Sequence, residues 1–156
     1  NGESTKYMAF TEEQKTPEGA EAMLDYVISR YDAPDAVFSL TIADVETGAY
    51  LGSLGAAPTD IDGEVEIYFT VMPECEGRGL ATRCAKALVD FLMRAEGVEV
   101  LRADVVEENT ASVRVVEKLG FERVGPIDRQ AAGGDLAHVA MSGVRYQKKR
   151  NAAARR

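Results

Sequence analysis

The stretch EVEIYFTVMPECEGRGLATRCAKALVDFL, Glu64 to Leu92, constrains the fold of this chain more than any other. Its opening alternates Val65, Ile67, Phe69 and Val71 against Glu64, Glu66, Tyr68 and Thr70, the period of two that a strand with one buried face requires. From Leu80 the apolar residues recur at Cys84, Leu88, Phe91, Leu92 and Ala95, one face of an amphipathic helix that ends near Gly97. Gly77 and Gly79 stand where one period gives way to the other. Unpaired amides and the helix dipole make such a glycine-rich helix start favourable for an anion, phosphate above all. The chain is thus built around a strand, loop and helix able to hold a phosphate.

The flanking segments extend this unit. Thr16-Pro17-Glu18 is a helix start with a capping hydroxyl, proline at the first position and an acid in the first turn. That helix is expected to reach Arg30 and to bury Ala20, Met23, Leu24, Val27, Ile28 and Tyr31. Val37 to Asp44, a turn at Val45 to Gly48, and Ala49 to Ala57 read as a hairpin. Val98 to Val106 is a further strand, and NTASVRVVEKLGF is a helix that presents Val113, Val116 and Leu119 before Gly120 closes it. Phe121 to Gly125 and Asp135 to Val144 read as short closing strands. Helices alternating with strands after a hairpin predict an α+β domain with a mixed sheet.

A chain of 156 residues with 46% hydrophobic content supports one domain with a real core, placed at residues 1–147. Five of the 18 basic residues, Lys148, Lys149, Arg150, Arg155 and Arg156, fall in the last nine positions, which are read as a solvated basic tail at 148–156. Setting those five aside leaves 13 basic against 26 acidic residues. So acidic a body repels nucleic acid and membrane headgroups and attracts cations. Cys75 and Cys84 are too few for a disulfide framework, and with His138 as the one histidine no zinc spacing arises. No apolar run is long enough to span a membrane, and NGESTKYMAF lacks the regions of a signal peptide. A cytoplasmic protein without a bound metal is the expectation.

Two phosphate loops fail the sequence. No lysine follows the second glycine as a Walker loop requires, and the dinucleotide fingerprint lacks its third glycine, since Thr82 stands there. Strand, MPECEGRGLA, long helix, strand, then ENTASVRVVEKLGFERVG resembles the acetyl-CoA-binding core of the GNAT N-acetyltransferase superfamily. Within it EVEIYFTVMPECEGRGLAT, Asn109, Ser112 and EKLGFERVG are similar to the RimJ/RimL branch, which acetylates protein N-termini. The resemblance covers Tyr7 to Val144. Such domains usually begin with a strand and helical turns ahead of the segment matched by STKYMAF. The family's loop pattern, Gln/Arg-x-x-Gly-x-Gly/Ala, falls on Glu76 to Ala81, with an acid at its first position.

The resemblance implies a mostly antiparallel mixed sheet flanked by helices, with Glu64–Met72 and Val98–Val106 as a splayed parallel pair. It implies acetyl-CoA as cosubstrate, with the loop amides of Glu76, Gly77, Arg78, Gly79, Leu80 and Ala81, joined by Thr82, on the pyrophosphate. The backbone of Phe69, Thr70 and Val71 would meet the pantetheine, and Asn109 would bind that arm or cap its own helix. Glu66 is the first choice of base for a protonated amine, with Glu64 and His138 as alternatives, and Ser112 is placed to protonate the departing sulfur. Glu64, Glu66, Asp60 and Asp62 suit a cationic acceptor: a peptide N-terminus, a polyamine or another small amine. A homodimer formed through the closing strands is expected. The plainer alternatives are that Glu64 and Glu66 line a solvated strand face, and that the domain binds CoA or a protein without turnover.

Overall fold

The computed structural model describes residues 13–33, 36–127 and 143–151. After a 3-10 turn at Glu13–Lys15, helix α1 spans Pro17–Ser29, and strands β1, β2 and β3 run over Phe38–Ala43, Tyr50–Pro58 and Glu64–Val71. Helix α2 (Leu80–Leu92), β4 (Val100–Val105), α3 (Thr110–Lys118), β5 (Glu122–Ile127) and β6 (Gly143–Lys149) complete the order. The six strands form one sheet, β1-β2-β3-β4-β6-β5. Neighbours are antiparallel except β3 and β4, which are parallel. The mixed α+β sheet read from the sequence is the observed architecture.

Local chemistry explains the elements. Thr16 caps α1, its hydroxyl accepting from the Gly19 amide at 3.1 Å. The β1–β2 turn is fixed by Asp44, whose Oδ1 accepts from the amides of Glu46 and Thr47 at 3.1 and 2.8 Å and from the Thr47 hydroxyl at 2.9 Å. These bonds hold the Asp44 carboxyl below its ordinary pKa, the Thr47 amide contributing most. One face of the sheet packs under α2 and α3. Ile42, Leu54, Ala56, Ile67, Leu101, Ala103, Val105, Val144 and Tyr146 meet Ala85, Leu88, Val89, Leu92 and Val116 there.

Several expectations change. Helix α1 buries no residue: Ala20, Met23 and Val27 are half-covered, and Leu24, Ile28 and Tyr31 stand exposed. The apolar stripe is present, but among the described residues α1 packs chiefly against its own 3-10 turn. Helix α2 ends at Leu92, five residues before Gly97, and its Phe91 is 53% exposed, stacked on Phe38 with ring centroids 6.0 Å apart. Except for Gly143 and Val144, the expected strand Asp135–Val144 lies outside the described residues. The observed strand β6 begins at Gly143 and takes in Lys148 and Lys149, which had been assigned to a solvated tail. Lys148 is held by its Nζ, which donates to the Leu119 carbonyl at 2.8 Å and so satisfies the C-terminal end of α3.

Candidate active site

The parallel pair β3–β4 sets the geometry of the site. Pairing runs only from Glu64 opposite Val100 to Glu66 opposite Arg102. Beyond that point β3 continues along β2 as far as Val71, and β4 along β6 as far as Val105. The two strands therefore separate, and the β4-facing backbone of Phe69, Thr70 and Val71 looks into the gap. A parallel pair brings both C-terminal ends to one edge of the sheet, where the connections that follow β3 and β4 gather.

At that edge the chain leaves β3 through a 3-10 turn, Pro73–Cys75, closed by the Cys75 and Glu76 amides on the carbonyls of Met72 and Pro73. Gly77 and Gly79 follow with φ of 71° and 74°, and Gly79 is the residue before α2. Among the described residues, the amides of Gly77, Arg78, Gly79, Leu80, Ala81 and Thr82 find no backbone acceptor. Nothing lies within 4 Å of where a side chain at Gly77 or Gly79 would begin. Glu76, Gly77, Arg78 and Gly79 are exposed, while Leu80, Ala81 and Thr82 are half-buried. Orphan amides, the positive end of the α2 dipole, the Arg78 cation and open space together suit a diphosphate. The same edge carries the start of α3, where Asn109 Oδ1 accepts from the Ser112 amide at 3.1 Å. The capping role is thus the one Asn109 fills, and Ser112 sits half-buried in the first turn.

The face of the sheet opposite the helices is polar where β3 and β4 separate. Glu64 is buried: its Oε1 accepts from Arg102 Nη1 at 3.1 Å and from Thr59 Oγ1 at 3.2 Å, and its Oε2 from Gln147 Nε2 at 2.7 Å. Glu66, its side chain 30% exposed, accepts from Arg102 Nη2 through Oε2. Asp104 takes both Nε and Nη2 of Arg145 at 2.9 Å, a bond that raises the Arg145 pKa against the opposing effect of burial. Arg102 Nε is buried without a hydrogen bond, 3.7 Å from Asp104 Oδ2. The plainer alternative for the two glutamates, a solvated strand face, is not what is found: they belong to an ion-pair network.

Both Glu64 oxygens are engaged, so among the described residues Glu66 is the β3 carboxylate with solvent access and an oxygen without a partner. His138 lies outside the described residues. Asp60 and Asp62 precede β3 and sit at the opposite end of that strand from the glycine loop, about 25 Å away along it. They do not join the gap, contrary to the sequence reading. Arg102, Asp104, Arg145 and Gln147 had not been singled out. Their signal is a charged or amide side chain at alternate positions, 102 and 104 in VLRADV and 145 and 147 in GVRYQKK, between the buried Leu101, Ala103, Val105, Val144 and Tyr146.

A parallel pair parting beside an amide-lined helix start defines a class of acyl-coenzyme-binding fold. The chain matches the acetyltransferase (GNAT) domain over residues 1–122 and belongs to that family. It is 29% identical over 83 residues to the human alpha/beta-tubulin-N-acetyltransferase 9, an alignment that covers 51% of this chain and 40% of that protein. The chain spans about half the length of the curated relatives it matches. Among solved structures, the ribosomal-protein-S5-alanine acetyltransferase of Vibrio fischeri superposes with a TM-score of 0.74 at 14% identity, covering 97% of this chain and 85% of that one. The spermidine N-acetyltransferase of Vibrio cholerae in complex with CoA and spermine gives a TM-score of 0.74 at 16% identity, covering 96% and 84%. Likeness at that identity shows the fold. Among the described residues no helix is long and apolar enough to cross a membrane.

Proposed function

We propose that this domain transfers the acetyl group of acetyl-CoA to a primary amine. The observation that carries the reading is the row of unpaired amides from Gly77 to Thr82 at the mouth of the β3–β4 gap. Those amides and Arg78 would bind the pyrophosphate, and the open backbone edge at Phe69, Thr70 and Val71 would meet the pantetheine amides and the thioester carbonyl. The cosubstrate supplies an activated acyl carbon with a thiolate leaving group.

An amine is largely protonated at neutral pH and must lose a proton to attack. Glu66 takes it, directly or through one water, by the oxygen that Arg102 leaves free. The nitrogen then bonds the acyl carbon, the negative charge on the carbonyl oxygen is met by β3 amides, and the carbon–sulfur bond breaks. Ser112 passes its hydroxyl proton to the departing sulfur and is reprotonated by the second proton that the newly bonded, cationic nitrogen sheds. The products are an N-acetyl amine and free CoA, and Glu66 releases its proton to solvent.

An acidic chain of net charge −8 favours a cationic acceptor. Relatives named for spermidine and for ribosomal proteins, one of them an alpha-N-protein acetyltransferase, frame the choice as a polyamine or a peptide α-amine. The RimJ/RimL likeness by itself leans to the peptide, and the side chains around Glu66 bear on the choice separately. We place the protein in the cytoplasm, and pairing through the closing strands would make it a homodimer.

One observation favours a second reading. Arg102 already holds a Glu66 oxygen, so the carboxylate could serve the sheet alone and the domain bind CoA without turnover. Calorimetry with acetyl-CoA, followed by thiol release over a panel of amines, separates the two. Acetyl transfer predicts binding, turnover and a loss of about 100-fold or more in kcat for Glu66→Gln with unchanged acetyl-CoA affinity. Binding without thiol release on any amine supports the second reading, and absence of binding defeats both.

A further inference from the structure

Tyr68 belongs to the same strand face as Glu66, two residues on and about 6.6 Å further along β3. It faces Gly55 across the β2–β3 pair. A side chain at Gly55 would begin 2.3 Å from the Tyr68 hydroxyl, so the glycine is what lets the phenol lie flat over β2 and reach toward β1. There the Tyr31 hydroxyl, just past the end of α1, approaches the Ser39 carbonyl at 3.5 Å. Tyr50, which opens β2 opposite Ala43, stands further along the same hairpin, and the Tyr31 and Tyr50 phenols both act electrostatically on Tyr68. Burial is the larger influence and keeps the Tyr68 phenol protonated beyond its ordinary range, against the pull of the nearby Ser39 hydroxyl.

Tyr31 and Tyr50 are 51% and 53% exposed, so their rings are open to solvent. Among the described residues the protein's own cation–π pair is Arg30 over Tyr26, and no arginine or lysine stacks on this trio. Neutral tyrosine rings beside a carboxylate attract alkylammonium groups, because the ring face is electron-rich and the methylenes gain apolar contact. A peptide α-amine carries its charge on a polar backbone and gains less from such a wall.

Building on the acetyl-transfer reading, we propose that Tyr68, with Tyr31 and Tyr50, is the specificity-determining wall of the acceptor side, receiving the second ammonium and the methylene chain of a linear diamine or polyamine whose reacting nitrogen lies at Glu66.

The chain has no tryptophan and six tyrosines, three of them in this wall, so a change in tyrosine emission that is lost in Tyr31→Ala and Tyr50→Ala reports on it. Titration of the intact protein with 1,3-diaminopropane and spermidine should give a saturable change in that emission, and a peptide with a free N-terminus a weaker one. In steady-state assays Tyr68→Ala should raise the KM for the diamine about tenfold, and Tyr31→Ala by several-fold. In both, kcat should stay within about threefold and acetyl-CoA affinity within about twofold of the parent, since neither ring meets the thioester. Tyr68→Phe should stay near the parent, because the ring and not the hydroxyl carries the contact. Unchanged diamine KM in Tyr68→Ala and Tyr31→Ala overturns the proposal, as does a parallel loss of acetyl-CoA affinity. Preference for the peptide over the diamine also overturns it. If Tyr68→Ala does not fold, the exposed variants Tyr31→Ala and Tyr50→Ala decide. If the protein turns over no amine, acetyl transfer fails while the wall is still judged by emission: a saturable response to diamine that Tyr31→Ala and Tyr50→Ala abolish supports it, and no response, or one that survives both variants, rejects it.

Discussion

Arg102 sits where β3 and β4 part, and each of its outer nitrogens is committed to a different β3 carboxylate, Nη1 to Glu64 and Nη2 to Glu66. Its own side chain is 11% exposed and that of Glu64 4%. Removing one partner of a buried pair leaves the other charge desolvated, which costs more than the pair ever contributed. Arg102→Met should therefore destabilise the fold by about 3–5 kcal/mol, read from the shift of the urea midpoint at constant slope. Adding Glu64→Gln should restore a good part of that loss, because the stranded carboxylate is gone. A single-variant loss of about 1 kcal/mol or less, near the range of an exposed pair, would show that the network contributes little. The sequence pointed to Glu64 and Glu66 through strand alternation but not to their partner, since Arg102 and Gln147 are separated from Glu64 by 38 and 83 positions. Only the sheet order, with β6 next to β4, makes them neighbours.

At the scale of the elements, the unit β3, loop and α2 was legible because everything that forms it is local. An alternating strand, two glycines and an amphipathic helix require no distant partner to be recognised. Strand β6 was not, because Lys148 and Lys149 read as the start of a basic tail, and Arg145 and Gln147 had no assigned place until Asp104 and Glu64 are seen to receive them. The stripe on α1 misled in the opposite sense, for periodicity reports a capacity to be buried and not the surface that does so. The loop glycines allow a direct test of function against backbone strain. Gly48 and Gly79 share a φ near 71–74°, and neither has an atom within 4 Å of a side chain's first carbon. Alanine at either position should cost about 1–2 kcal/mol from the left-handed backbone alone. Gly79→Ala should in addition weaken acetyl-CoA binding by about tenfold or more, since it disturbs the amides at the start of α2, whereas Gly48→Ala should leave that affinity unchanged. Equal effects of the two on the calorimetric Kd would remove the loop from the cosubstrate site.

For the molecule as a whole, the sheet divides the labour: one face carries the core under α2 and α3, and the other carries charge. In the network at the gap, Glu64, Glu66 and Asp104 outnumber Arg102 and Arg145, so the polar face keeps an excess negative charge that matches the net −8 of the chain. On the proposed reading a cationic acceptor would be drawn by that long-range field, whereas the phosphates of CoA would be repelled by it and would have to be held by short-range contacts with loop amides and Arg78. Salt acts on the two unequally, because a Debye length of about 10 Å at 0.1 M cancels distant charges before adjacent ones. Raising ionic strength from about 0.05 to 0.3 M should therefore lift the KM of a diamine several-fold while the acetyl-CoA Kd changes less or falls. The effect on KM should grow with the number of ammonium groups, from a monoamine to a diamine to spermidine. An acceptor KM that is flat or decreasing with salt would mean that the acidic body plays no part in choosing the amine, and that selection rests on the tyrosine wall and Glu66 alone.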